Sequence, residues 1–279
     1  MYLIDWWVDL SLILDPNRLV APFTEAARAA GDLALGFFNH GEETSADVHY
    51  KHGGSPVTEA DHLVDAYLKT RLEMMLPEAG WLSEESADTK ERLTRRHVLI
   101  VDPIDGTRGF AAGDPRWAIS IALVTDGRPV LGLLHAPALN ETYLAVLGQG
   151  ATLNGKKIRV SEVKSLDSSS RMAAPPHVAE DLRRAGLAFD LAMRIPSLAV
   201  RLVYVASGVL DAGIASENSH DWDIAAADLI LHEAGGVLAG LDGAPPVYNS
   251  NNTRHGLLTA APAQIHTQLN AAARRARGL

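Results

Sequence analysis

The sequence predicts a mixed fold, α+β in its first half and α/β in its second, on three observations. Apolar runs separated by tight turn signals occupy residues 117–147, the mark of an antiparallel meander. Helical and strand-like patterns alternate beyond residue 182. Ahead of the meander, the run Val98-Leu99-Ile100-Val101 ends in two carboxylates three positions apart, Asp102 and Asp105. A chain of 279 residues, 47% hydrophobic and 21% charged, has an ordinary globular make-up and enough length for a large core.

In chain order, residues 1–18 read as an N-terminal extension. Trp6, Trp7, Val8 and several residues of 10–14 are apolar, but Asp5, Asp9 and Asp15 interrupt them. No basic stretch precedes them and no uninterrupted apolar run approaches about 18 residues, so neither a signal peptide nor a membrane span is predicted. A short helix against the body or a subunit partner is expected instead.

Residues 19–38 carry apolar side chains at helical spacing, with Pro22 in the first turn, where proline is tolerated. Residues 40–56 are polar, with Gly53-Gly54-Ser55-Pro56 as a mobile turn. Thr58-x-x-Asp61 opens a helix that Pro77 ends. A short strand at 81–83 delivers Glu84 and Glu85. After the strand at 98–101, Pro103 blocks a regular continuation and Gly106 permits close approach. Thr107 can open a helix whose first N–H groups face an anion.

Strands are expected at 117–125, 129–135 and 141–147, with Asp126-Gly127 as a hairpin turn. Residues 151–156 read as a turn and 158–161 as a strand. The Ser-rich stretch 165–170 is the expected border between an α+β unit, 19–164, and a smaller α/β unit, 165–279. That second unit holds a short helix ending near 186, a helix at 198–207 and a strand at 210–215. A helix at 223–234 follows, with Ile224, Ala227, Leu231 and Ala234 on its apolar side. Strands at 237–238 and 257–259 precede a last helix at 262–277.

The formal net charge of −9 argues against a surface built to hold a nucleic-acid polymer. It leaves room for a small phosphorylated substrate, because bound Mg²⁺ would reverse the local sign. The chain has no cysteine, which excludes disulfides and thiolate chemistry and is compatible with a cytoplasmic location. Eleven histidines show no paired metal-ligand spacing.

The acidic motifs each admit two readings. Asp102-Pro103-Ile104-Asp105-Gly106-Thr107 is either a strand-to-helix turn with an Asp cap or a site offering hard oxygen ligands beside a phosphate cradle. Asp61 either caps its helix or accepts a hydrogen bond from Thr107, making that hydroxyl a better acceptor for a water proton. Asp223 either caps its helix or binds metal. Glu84 and Glu85 repel one another unless a cation separates them. Lys51 is either a solvated loop lysine or part of the site.

The order L-S-E-E-S (82–86), D-P-I-D-G-T (102–107) followed by Phe110, and W-D-I-A-A (222–226) resembles the inositol monophosphatase superfamily over roughly residues 19–265. The resemblance implies a layered α-β-α-β-α sandwich and a Mg²⁺-dependent, lithium-sensitive phosphomonoesterase, commonly dimeric. It implies that Glu84, Asp102 and the carbonyl of Ile104 hold a first metal. Asp102, Asp105 and Asp223 hold a second, and a third, weaker Mg²⁺ lies near Glu84. Two metals about 3.5–4 Å apart neutralise an anionic ester and lower the pKa of an attacking water. Thr107, oriented by Asp61, and Glu84 position that water, while the amides of Gly106 and Thr107 grip the phosphate. Lys51, ten residues before Asp61, matches a lysine of the family near the metal site.

For the substrate, S-P-V-T-x-x-D (55–61) with L-S-E-E-S resembles the branch acting on 3′-phosphoadenosine 5′-phosphate. An inositol phosphatase is the alternative. There a glutamate seven positions before the W-D aspartate reads sugar hydroxyls, but this chain has Ser216 at that spacing and Glu217 one position off. Histidinol phosphatases come third, and a catalytically silent scaffold of the same fold is the non-enzymatic alternative. Arg108-Gly109 departs from the Lys-Glu usual after D-G-T in the bacterial nucleotidases.

Overall fold

A computed structural model describes residues 14–51 and 53–279. The expected helix within residues 1–18 falls mostly outside these; Pro16–Leu19 form a 3₁₀ turn capped by Asp15. The helices are α1 (Val20–Leu35), α2 (Glu59–Met75), α3 (Thr107–Ala111), α4 (Pro176–Arg184), α5 (Leu198–Ala206), α6 (Asp221–Glu233) and α7 (Ala263–Ala276). The strands of the first half are β1 (Val48–Tyr50), β2 (Pro56–Thr58), β3 (Gly80–Ser83), β4 (His97–Asp105), β5 (Ala118–Thr125), β6 (Arg128–Ala136), β7 (Glu141–Val146), β8 (Ala151–Leu153) and β9 (Lys156–Ile158). Those of the second are β10 (Arg171–Ala173), β11 (Asp190–Leu191), β12 (Ala212–Ala215), β13 (Gly236–Gly240) and β14 (Leu258–Pro262).

Strands β3 to β9 form one seven-stranded sheet in sequence order, antiparallel except for the parallel β3–β4 pair. A second, five-stranded sheet has the order β11-β10-β12-β14-β13. Three apolar cores bind these sheets to helices. One joins α1 and α2 to one face of the large sheet. A second packs α5 and α6 between the large sheet and the small one. The third seats α4 and α7 on the outer face of the small sheet. The layers therefore run helix, sheet, helix, sheet, helix, as the resemblance implies.

This stacking explains the sequence pattern. Along β4, Leu99 and Val101 enter the core under α1 and α2, while Val98 and Ile100 enter the core under α5 and α6. A strand buried on both faces reads as a continuous apolar run. Helix α6 is likewise covered on both sides. It buries Ile224, Ala225, Ala226, Ala227, Leu229, Ile230 and Leu231, not the single apolar side that the spacing predicts.

Other expectations shift for local reasons. The polar segment 40–56 is not a plain loop: β1 pairs antiparallel with β2, Val48 opposite Thr58 and Tyr50 opposite Pro56. All of β1 is exposed, so no alternation marks it. The stretch 151–156 is a strand, a turn at Asn154 and Gly155 with positive φ, and the start of β9. The strand expected at 158–161 ends at Ile158. Strands β10 and β11, three and two residues long, are too short to show a period.

At Gly132 on β6, α6 sits close against the large sheet. A Cβ there would lie 2.5 Å from the carbonyl oxygen of Ala226. Gly132→Ala is expected to destabilise the protein by about 1–3 kcal/mol through overpacking, lowering the melting temperature by roughly 3–10 °C. An unchanged melting curve would contradict the close approach.

Candidate active site

The site forms where β3 and β4 end side by side. Strand β4 loses its register with β5 between Asp102 and Asp105, as Pro103 requires. Gly106 follows at φ +95°, and α3 begins at Thr107. A Cβ on Gly106 would also come within 3.1 Å of the Ser197 backbone. Phe110 anchors this short helix, its ring edge-on to the buried Trp117 with centroids 5.0 Å apart.

Glu84 follows β3, and its N–H donates to the Val101 carbonyl at 3.3 Å. The loop is braced from α2: Ser83 and Ser86 donate to the two oxygens of Asp65, each at 2.5 Å. Helix α6 brings in Asp223, and Ser120 of β5 ties its first turn down by donating to the Trp222 carbonyl at 3.3 Å. Oxygens of Glu84, Asp102 and Asp223 then all lie within 4.8 Å of one another.

Each remaining expected residue has a definite place. Thr107 Oγ1 lies 3.0 Å from Asp61 Oδ1 and 3.1 Å from the Ile104 carbonyl. Asp61 Oδ2 accepts from Thr58 N–H at 2.8 Å, closing the capping box. Asp105 lines the same cleft but stands apart from the tight trio. Its Oδ2 accepts from the Ser197 hydroxyl and from Ala199 N–H at 2.7 Å, so it caps α5. Its Oδ1 has only a long contact, 3.4 Å, with Leu198 N–H. Lys51 is not a solvated loop residue: its Nζ donates to Glu84 at 2.7 Å and to Glu85 at 2.6 Å. Ser216 lines a neighbouring cavity. Glu217 is half-exposed and pairs with Arg277 at 3.1 Å.

The reading of the sequence missed Asp65, Ser197 and Arg194. Asp65 lies one helical turn beyond Asp61, a spacing that puts both carboxylates on one face of α2. Ser197 precedes the apolar run of α5 as an N-cap, accepting from Val200 N–H at 2.9 Å. No local signal marks Arg194, which lines the cleft from a loop.

The electrostatics of the cleft would suit a cation. Asp102 and Asp223 titrate well above the ordinary carboxylate range, because burial penalises their charge and neighbouring carboxylates repel it. Burial chiefly pushes Glu85 up to about 7. Asp102 accepts one hydrogen bond, from Ile104 N–H at 3.1 Å, and Asp223 one, from His220 N–H at 2.6 Å. Both keep acceptor capacity toward the cleft. Clustered carboxylate oxygens with so few donors fit a hard divalent cation held by Glu84, Asp102 and Asp223.

Comparison with known proteins agrees with this geometry. The chain is 32% identical over 246 residues to a protein of Aggregatibacter actinomycetemcomitans named 3′(2′),5′-bisphosphate nucleotidase CysQ, covering 85% of this chain and 90% of that one. It is 37% identical over 231 residues to a Mycobacterium tuberculosis histidinol-phosphatase, covering 78% and 85%. A solved IMPase of Thermotoga maritima superposes with a TM-score of 0.79 at 28% identity, covering 94% of this chain and 98% of that one. The inositol monophosphatase family profile matches residues 15–277, which contain every acidic residue of the cleft. With sequence, fold and acidic cleft in agreement, the chain belongs to the inositol monophosphatase family and is a metal-dependent phosphoric monoester hydrolase.

Proposed function

We propose that this enzyme is a Mg²⁺-dependent 3′(2′),5′-bisphosphate nucleotidase, releasing phosphate from 3′-phosphoadenosine 5′-phosphate. The observation that carries the choice is that no carboxylate stands among the described residues lining the neighbouring cavity, where a polyol would need one. Glu217 is engaged by Arg277, and the cavity beside the cleft presents the Ser216 hydroxyl and arginines instead. Sugar hydroxyls are best held by charged acceptors. This lining favours an anionic leaving group over a neutral inositol.

Two or three Mg²⁺ ions would be held by Glu84, Asp102 and Asp223, with Asp105 Oδ1 and the Ile104 carbonyl as further ligands. When bound, they supply charge neutralisation and a more acidic water. Thr107 keeps a lone pair for that water while its proton is committed to Asp61 or Ile104. Glu84 is the second group positioned to take the proton. The amides of Gly106 and Thr107 open α3 and lack intrahelical acceptors, which suits them to phosphate oxygens. Lys51 neutralises Glu84 and Glu85 at the rim. A homodimer, a cytoplasmic location and inhibition by lithium go with this reading.

The test is phosphate release with Mg²⁺ from 3′-phosphoadenosine 5′-phosphate and from inositol 1-phosphate. A kcat/KM preference of about a hundredfold for the nucleotide, roughly 2.7 kcal/mol, is expected. A preference for the inositol ester would overturn the assignment.

A further inference from the structure

The cavity beside the acidic cleft has a volume of about 380 Å³ and the opposite charge. Ala173, Pro175, Leu191 and Ile195 contribute apolar wall, while Arg194 and Arg201 contribute guanidinium groups. Arg194 also lines the cleft, so the two spaces adjoin through it.

Arg201 is fixed by two carbonyls: Nη1 donates to Ile214 O at 2.9 Å and Nη2 to Ile195 O at 3.2 Å. A guanidinium has five N–H donors, so others remain for a ligand. Among the described residues, neither arginine forms an ion pair. Burial strips Arg201 of water and Arg194 repels it, which lowers its hold on the proton; Asp105 attracts it in partial compensation. Desolvated guanidinium groups that form no ion pair, as at Arg201, are costly. They persist at a cavity wall most readily when a ligand completes them, and the planar fork of arginine matches phosphate and carboxylate oxygens.

We propose that Arg194 and Arg201 seat a second anionic group, a phosphoryl or carboxylate, carried by the part of the substrate that leaves as the alcohol. The inference rests on the phosphatase reading and names what the substrate must carry besides the scissile phosphate. Arg194 stands between the two anions, and the apolar wall excludes water from the second one.

The experiment compares adenosine 3′,5′-bisphosphate with adenosine 3′-monophosphate as substrates of wild type, Arg194→Gln and Arg201→Gln, in Mg²⁺. Equilibrium binding of adenosine 5′-monophosphate, adenosine and inorganic phosphate is measured on the same proteins by calorimetry. Wild type is expected to prefer the bisphosphate, and each variant to lose about tenfold or more of that preference, mainly through KM. Binding of adenosine 5′-monophosphate falls in parallel, and adenosine binding does not. Arg194 is exposed, so Arg194→Gln reports even if Arg201→Gln fails to fold. Hydrolysis with an undiminished preference in Arg194→Gln overturns the proposal and leaves the phosphatase reading standing. Inorganic phosphate binding as tightly as the nucleotide, and lost in the same variants, makes the cavity a free-anion site and also overturns it. Failure to hydrolyse either ester, with nucleotide binding still dependent on both arginines, sinks the phosphatase reading and keeps the anion seat.

Discussion

Asp102→Asn is expected to lower kcat at least about 10³-fold, the order of effect of losing several kcal/mol of transition-state charge stabilisation. Without divalent metal, the same substitution is expected to stabilise the protein by about 1–2 kcal/mol. Both effects have one origin. Asp102 is 1% exposed and its carboxyl is pushed well above the usual range by burial and by Glu84, Asp105 and Asp223. An asparagine keeps the acceptor for Ile104 N–H and removes the buried charge.

The sign of the pH dependence follows. Asp102 and Asp223 bind protons more tightly in the folded chain than at their ordinary value of 3.8. The stability they contribute is complete below that value and is lost as pH rises through their raised folded values. Metal-free wild type should therefore melt at falling temperature as pH rises from about 4 toward neutrality, and Mg²⁺ should reverse the loss. Asp102→Asn should flatten the pH slope. Melting curves across pH, with and without Mg²⁺, measure it; a wild-type turnover in Asp102→Asn would refute the site.

Thr107→Val is expected to lower kcat about 10²–10⁴-fold, the range of a positioned proton-transfer group. Valine keeps the branching and volume of threonine. It removes the hydroxyl 3.0 Å from Asp61 and leaves Asp61 Oδ1 unpaired in the interior. That loss also costs about 1–3 kcal/mol of stability. Thr107→Ser restores the hydroxyl and should recover most of the rate. Equal activity of the valine and serine variants would show that the hydroxyl has no part in the reaction.

The two readings open at Asp61 and Asp223 turn out to be compatible. A carboxylate has two oxygens. Asp61 caps α2 with one and holds Thr107 with the other. Asp223 accepts from His220 N–H with Oδ2 and joins Glu84 and Asp102 in the cluster. Asp105 also caps a helix, but α5 lies ninety-odd positions away, so local spacing could not reveal it. The same holds for Lys51, whose partners lie 33 and 34 positions ahead. In the sequence it stands in a polar, glycine-rich stretch.

By itself the sequence determined the meander, the buried strand β4, the acidic turn after it and the membership of the family. These are written in local periods and short spacings, which a strand, a tight turn or a helix cap needs whatever surrounds it. Only the tertiary structure decided that α6 is buried on both sides, because that depends on being covered by two sheets at once. Only it turned Glu217 to Arg277 and left Arg194 and Arg201 at one cavity with no carboxylate among its described lining residues. Charge compensation is a matter of distance in space, and the chain brings those partners together from separate elements.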